Sequence, residues 1–442
     1  MRLNAAVIIW AILLGCGGTR DSSGRVPATS EVTTPPSADP SAASGSGTPS
    51  ADAPQSTSSG SSTTPGAPAG TDTARTVPPP APPDNHPTPP PPPPPAPPQA
   101  WGGTQVFKTP WTEIAGAALL SGGRLVVYGS QFVVKDGVGG RRGTLAWSDA
   151  SGKVERVLQV PQADEIFAMA VASPSGAIAL GGYTQGTGGY LLVLNADGAL
   201  QWLVSMGREV AVYGVTFAAN GDVVACGSNP DAFLGRWASD GKLLWRQSYP
   251  ADADGFSFGI AMTPSGDIVA AGGRGPVVAM RTAPDGTARW TRTLALGSPS
   301  SGRGAIATDA VGAVLLAGRD GDDAFVVKLD SKGDTAWLRT IATSGVDTAN
   351  GIAVDGAGDA VVVGSYGLGS GGAGTGYVAR YDRSGQRVWT TDVNWPGIEV
   401  LSGVALDSAG NAYVVGSLPS DPSGFRTQGF VAKLDRAGVV LR

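Results

Sequence analysis

Apolar and polar residues alternate in a repeated phrase over the last three quarters of the chain. "AFVVKLDSKGDTAW", residues 324–337, is an apolar run, a turn carrying Asp330 and Gly333, and a second short strand ending in Trp337. Near copies end at Trp202, Trp245, Trp290 and Trp389. A second phrase, "GIAVDGAGDAVVVGS" from Gly351, recurs from Gly259 and Gly403. Aligned without gaps, it places a turn glycine at 123, 176, 221, 266, 312, 358 and 410, each followed six residues later by another glycine. Copies spaced 45 to 53 residues apart by the seven glycines and 43 to 52 by the tryptophans, each with four β-branched-rich stretches between glycine turns, predict a repeat architecture. Four antiparallel strands per unit, arrayed radially, make a β-propeller blade, so the predicted fold class is all-β with seven four-stranded blades. A parallel β-helix is the competing architecture, but its coils are usually shorter and need capping repeats that this sequence does not show.

The strands are lettered A to D from the axis outward. Strand A opens with Gly or Ala in six copies, and the gap-free alignment leaves Met169 in the seventh. Small residues there let blades converge, whereas the Trp of strand D fills space at the rim, where blades splay apart. After Gly438 only "VVLR" remains, too little for a last strand D, while Trp101 precedes Gly116 by 15 residues, as Trp337 precedes Gly351 by 14. The segment 104–109 is therefore predicted to be the outer strand of the last blade, with Trp101 in the docking position, so that no sheet edge is left open.

The first quarter has a different composition. Residues 17–100 are mostly Pro, Ser, Thr, Ala and Gly, with too few apolar side chains to offset the entropy of ordering. Within them "PPPAPPDNHPTPPPPPPPAPP" predicts a polyproline II rod, on the order of 60 Å long at roughly 3.1 Å per residue. The only histidine, His86, lies in this rod as a solvated linker residue. The opening "MRLNAAVIIWAILLGC" has Arg2 before an apolar stretch too short to remain as a membrane span, and reads as an export signal. Leu13, Leu14, Gly15 and Cys16 resemble the bacterial lipobox, which implies cleavage after Gly15 and a lipid on the Cys16 thiol. With Gly17 where such lipoproteins retained in the inner membrane often have Asp, the resemblance implies the outer membrane. An ordinary signal with an incidental cysteine is the alternative. The expected organisation is a signal peptide over 1–15, a lipidated cysteine and disordered linker over 16–100, and a propeller over 101–442. Cys226 then has no intrachain partner and reads as a small buried apolar residue.

A net charge of −5 with no Lys or Arg run argues against nucleic-acid binding. A head without histidine cannot hold a His-based triad, a Cys-His dyad or a His-ligated metal, and Cys226 alone cannot build a thiolate metal site. Carboxylates remain. Asp252 and Asp254, and Asp320, Asp322 and Asp323, are candidate calcium ligands or solvated turn acids. Asp330, Asp382, Asp435 and Asn195 are expected to cap their own turns. A basic residue recurs five positions before the strand C to D turn glycine, at Arg236, Arg281, Lys328, Arg380 and Lys433. It could form an anion-binding ring, or each stem could pack between blades with its head on turn carboxylates.

The paired phrases resemble the seven-bladed propeller repeats of exported bacterial proteins over nearly all of 104–442. The Asp-x-x-Gly-x-x-x-Trp spacing is also similar to the tryptophan-docking repeat of quinoprotein dehydrogenases. That repeat recurs in the non-enzymatic propeller lipoprotein of the outer-membrane barrel-assembly machinery. Arg156 and Arg442 replace the Trp in the first and last blades. The adjacent cysteine pair typical of the dehydrogenases is missing, so no quinone cofactor is expected. The resemblance implies a membrane-tethered binding or scaffold protein of the cell envelope. The alternative is a carboxylate-dependent glycan-active enzyme, a lyase or glycoside hydrolase. The B-to-C and D-to-A connections share one face and are the long, variable ones. Tyr249, Phe256, Phe258, Trp395 and Phe425 fall in them as candidate contacts for a protein or glycan partner, or merely cover the core. The head itself is expected to be monomeric.

Overall fold

The computed structural model describes residues 105–106, 113–135, 138–172, 175–229, 231–249, 259–273, 276–296, 305–368, 374–393, 400–419 and 427–441. The expectations for Cys16, His86, Trp101 and the linker fall outside these residues. The described strands form seven four-stranded sheets, each antiparallel throughout. Blades 1 to 6 run over 113–159, 165–207, 211–249, 259–294, 305–341 and 346–393. The seventh takes three strands from Val400–Leu406, Ala412–Pro419 and Thr427–Leu434, and its fourth from Gln105–Val106.

Both chain ends build that fourth strand. Gln105 pairs with Val431 and Val106 with Phe430, while Val440 bridges Leu434 and the Leu441 N–H donates to the Lys433 carbonyl at 2.8 Å. The predicted closure is therefore present, with its first residues contributed by the C-terminus.

Close approach of backbones at the axis explains the small residues of strand A. A Cβ on Gly214 would lie 2.8 Å from the Gly259 Cα, and one on Gly403 would lie 2.9 Å from the Gly116 Cα. Met169 is not an exception to this rule. The A-to-B turn of blade 2 closes with the Ala172 N–H on the Ala177 carbonyl, one residue wider than its equivalents. The register accordingly pairs Ala168 with Gly181, as Gly116 pairs with Tyr128, and puts Ala in the axial position.

In five of the repeats the second glycine answers to a bulge. In blades 1, 2, 3, 6 and 7 strand A carries an extra, unpaired residue: Ala115, Phe167, Tyr213, Asn350 or Ser402. A strand A carbonyl is thereby brought so near strand B that a Cβ on Gly227 would sit 1.9 Å from the Ala211 oxygen, and one on Gly364 would sit 1.8 Å from that of Thr348. An aromatic ring of strand C covers the same glycine from the other side, Phe233 over Gly227 and Tyr377 over Gly364.

The recurrent Trp also has a specific seat. The indole N–H of Trp202 donates to the Ser239 carbonyl at 2.8 Å, in the C-to-D turn of the next blade, and its ring lies against Gly241 of that turn. Trp245, Trp290, Trp337 and Trp389 repeat the contact with Pro284, Ser331, Arg383 and Arg436. The turn glycines have positive φ, and it is their lack of a Cβ that leaves room for the ring. In blade 1, Arg156 takes the place of Trp, donating to the Asp197 carbonyl at 2.7 Å while its guanidinium stacks on Trp147 at 3.8 Å. Apolar clusters fill the space between neighbouring blades, as where Leu191 and Val193 of blade 2 meet Val212, Val223 and Phe233 of blade 3.

Candidate functional site

The two ends of the propeller differ. On one, the C-to-D turns all have the same five-residue form, and so do the A-to-B turns apart from the wider one in blade 2. Their acids act as predicted. Asp330 accepts the N–H groups of Lys332 and Asp334 at 2.8 and 2.9 Å, and Asp382 and Asp435 do the same in their turns. Asn195 caps its turn through the Ala199 N–H. The Ser384 hydroxyl first, then the Gln386 N–H, holds the Asp382 carboxyl below its ordinary value of 3.8. Because the folded value is the lowered one, this contribution is complete above about pH 4 and fades as pH falls through the folded value. Asp382→Ala is therefore expected to melt slightly below the parent at pH 7, by a margin that narrows as pH falls below about 4, in parallel thermal scans.

The basic residues of strand C sit behind these turns and are structural. Arg236 pairs with Asp222 at 2.9 Å and donates to the Pro284 carbonyl of blade 4. Arg281 pairs with Asp267 at 2.9 Å and donates to the Gly312 and Ser331 carbonyls of blade 5. Lys328 holds Asp309 at 2.8 Å, Arg380 holds Asp355 and Asp359, and Lys433 lies 3.7 Å from Asp407. These heads reach the carboxylates of their own blade, and the arginines also reach carbonyls of the next, so they staple neighbours rather than form a ring open to an anion. A cavity of about 360 Å³ on this side is lined by Thr263, Thr308, Asp309, Val354 and Asp355 among others. Thr308 donates to the Met262 carbonyl, and both acids are taken by Lys328 and Arg380.

The opposite end carries unequal connections. Strands B and C of blade 1 run on to Lys135 and from Val138, making a hairpin of eleven-residue strands that stands beyond the other blades. Arg141 at its base pairs with Glu113 at 3.3 Å and Glu165 at 3.0 Å, and Arg142 pairs with Asp164 at 2.9 Å. Phe132 on this hairpin is 53 % exposed. Beside it the bulge residues Phe167 and Tyr213 stack across two blades, with ring centroids 5.5 Å apart. In blade 6, the fully buried Asp347 accepts from the Thr343 N–H and hydroxyl and from the Gly367 N–H, tying one connection to another. Tyr366 donates to Asp392 and stacks on Tyr377 at 5.3 Å.

Of the candidate contacts, Tyr249 is half-buried at the end of its strand, its hydroxyl donating to Gln247 at 2.8 Å. Phe256, Phe258, Trp395 and Phe425 lie outside the described residues, as do Asp252 and Asp254. Asp320 and Asp323 face each other across the blade 5 hairpin, and the Asp322 carbonyl accepts the Asp347 N–H. Among the described residues no group of three or more His, Cys, Asp or Glu is placed to hold a metal ion. Cys226 is buried between blades 3 and 4 and forms no disulfide, and burial pushes its thiol well above the usual range. Phe132, Phe167 and Tyr213 are surface aromatics of this end that sequence reasoning did not single out. The signal for the last two was the position just before the small residue opening strand A.

A family profile described as "Outer membrane protein assembly factor BamB" matches residues 187–375. A search of curated proteins finds no significant match. Among solved structures, the RRP9 WD40 repeats align at 13% identity and a TM-score of 0.53, over 75% of this chain and 97% of theirs. The Cps50 (Swd1) propeller domain of Myceliophteria thermophila aligns at 13% and 0.51, over 74% and 98%. Virginiamycin B lyase from Staphylococcus aureus aligns at 12% and 0.50, over 74% and 99%. At these identities the likeness is one of fold. Among the described residues no helix is long and apolar enough to cross a membrane. The head is a seven-bladed β-propeller built from a repeat similar to the tryptophan-docking type.

Proposed function

We propose that this protein is a lipid-tethered propeller that works by binding, as a scaffold module of the bacterial cell envelope, and that its partner docks on the end carrying the long connections. The observation that carries the reading is the asymmetry of the two ends. Stability alone favours short capped turns everywhere, and one end has them almost without variation. Long, unequal connections on the other end of a rigid frame are what recognition requires. The matching profile is named for an outer-membrane assembly factor, which supports an envelope location and a protein partner. The lipobox-like Leu13 to Cys16 and the long Pro-rich linker support an anchor at Cys16 and a head held away from an outer-membrane surface. The pair Glu113 and Glu165 gives a glycan-active enzyme no support, because both are held by Arg141.

Two variants test the halves of the proposal separately. Cys16→Ser is expected to move the protein from the membrane to the soluble fraction, and unchanged membrane retention would remove the anchor. Phe256→Ala and Trp395→Ala are each expected to weaken binding to a partner retrieved from the native envelope, without changing the melting curve. Full affinity in both would place the contact elsewhere.

A further inference from the structure

In blade 1 the ladder between strands B and C runs without a register break from the Leu125–Ser148 pair to the Lys135–Val138 pair. Among the described residues, strand A pairs with it as far as Ser130 and strand D as far as Thr144. The hairpin beyond them is a two-stranded ribbon, with Gly139 and Gly140 in its second strand. A glycine inside a strand weakens it, and is kept where a positive φ or a close neighbour requires it. In four other blades a ring from strand C covers a glycine of strand B: Tyr190 over Gly182, Phe233 over Gly227, Tyr377 over Gly364 and Phe430 over Gly416. On one face of the ribbon Phe132 does the same for Gly139, its Cζ lying 2.5 Å from where a Cβ would stand. Side chains alternate along a strand, so Gly140 belongs to the other face, beside its partner Val133. There, apart from its neighbours in the chain, no heavy atom lies within 4 Å of where a Cβ would stand, and φ is not positive. Among strand glycines with described surroundings, Gly140 alone has neither reason to be glycine.

We infer that Gly140 and Val133 form the seat for an aromatic side chain of the protein partner, which lies across the glycine as Phe132 does on the opposite face. The inference rests on the long-connection end being the partner-binding end. The occupant follows from usage elsewhere in the fold. Four other ladders and the opposite face of this one cover a glycine with a ring, and Val133 does not reach Gly140. Gly143 and Gly181 are packed instead by Ile166 and Val212 of the next blade, but the ribbon stands beyond the blades. A flat ring gains contact area on bare backbone flanked by a β-branched side chain. Aromatic anchors of this kind carry much of the energy of protein interfaces. The support is fixed, since Arg141 and Arg142 hold the base of the ribbon to Glu113, Glu165 and Asp164.

The test uses the full-length protein in mild detergent, with valine methyl groups labelled for NMR, and three probes: N-acetyltryptophanamide, N-acetylleucinamide and glucose. The tryptophan probe is expected to shift the Val133 methyl signals saturably, and to leave them in place in Gly140→Val. The leucine probe and the sugar are expected to leave them unmoved. Because the added side chain enters open space, Gly140→Val is expected to melt at or above the temperature of the parent. No saturable shift with the tryptophan probe, the same shift in Gly140→Val, or an equal response to either other probe would overturn the inference. So would a large loss of stability in the variant, which would mean that the fold itself requires this glycine. In the intact envelope, a photocrosslinking amino acid at Tyr249 separates the seat from the docking end. Gly140→Val is expected to abolish its crosslinked protein. A product that persists overturns the seat and leaves the docking end standing, whereas a parent that gives no product there overturns both.

Discussion

Removal of residues 101–110 is expected to lower the melting temperature of the head by roughly ten degrees, the shift that several kcal/mol produces in a domain of this class. The deletion takes away Gln105 and Val106, which pair with Val431 and Phe430, while among the described residues the C-terminus supplies the bridge at Val440 and the bond from Leu441. Strand C of blade 7 would become an edge along most of its length, and its apolar residues Phe430, Val431 and Ala432, now fully buried, would lie beside it. Differential scanning calorimetry of the deleted and parent proteins decides the matter. An unaltered transition would mean that the ring is closed without the N-terminal strand.

Arg380→Met is expected to cost about 3–5 kcal/mol, because it leaves the buried carboxylate of Asp355 and the partly buried one of Asp359 without their nearest cation. Arg380 is 2 % exposed, pairs with Asp355 and Asp359, and donates to the Gly410 carbonyl of blade 7. Arg436 stands 3.6 Å from both acids but is largely in solvent, so it offsets only part of the loss. Adding Asp355→Asn to the methionine variant should recover some stability, since one buried charge is then gone. Chemical denaturation of the single and double variants measures both steps. A single variant as stable as the parent would contradict the staple.

The seven blades and their closure were legible because a blade is a local object. The six-residue glycine interval and the Asp-x-x-Gly turn are set by contacts within one repeat. Even the N-terminal strand could be inferred, from the shortfall of residues after Gly438. Reading failed where one residue of turn length decided the register, as at Met169, and where partners are far apart in sequence. The Ile114 N–H donates to the Ser417 hydroxyl 303 positions away, and no periodicity announces such a bond. The seat of each Trp was half legible: the ring's place at the rim followed from the repeat, but its contact with the turn glycine of the next blade needed two repeats set side by side. The site was the least legible part. Long connections have no period, so they yield candidate aromatics by type alone. The clamp of Arg141 on Glu113 and Glu165 depends on how the blade 1 hairpin leans on its neighbour.

The central claim is that the end with long connections holds the partner. Photocrosslinking amino acids placed at Phe132 and Tyr249 on that end, and at Asp285 and Lys332 on the turn end, test it in the intact envelope with the full-length chain. The account predicts a discrete crosslinked protein from positions 132 and 249 and none from 285 and 332. The same product from the turn end, with nothing from the long connections, would contradict it.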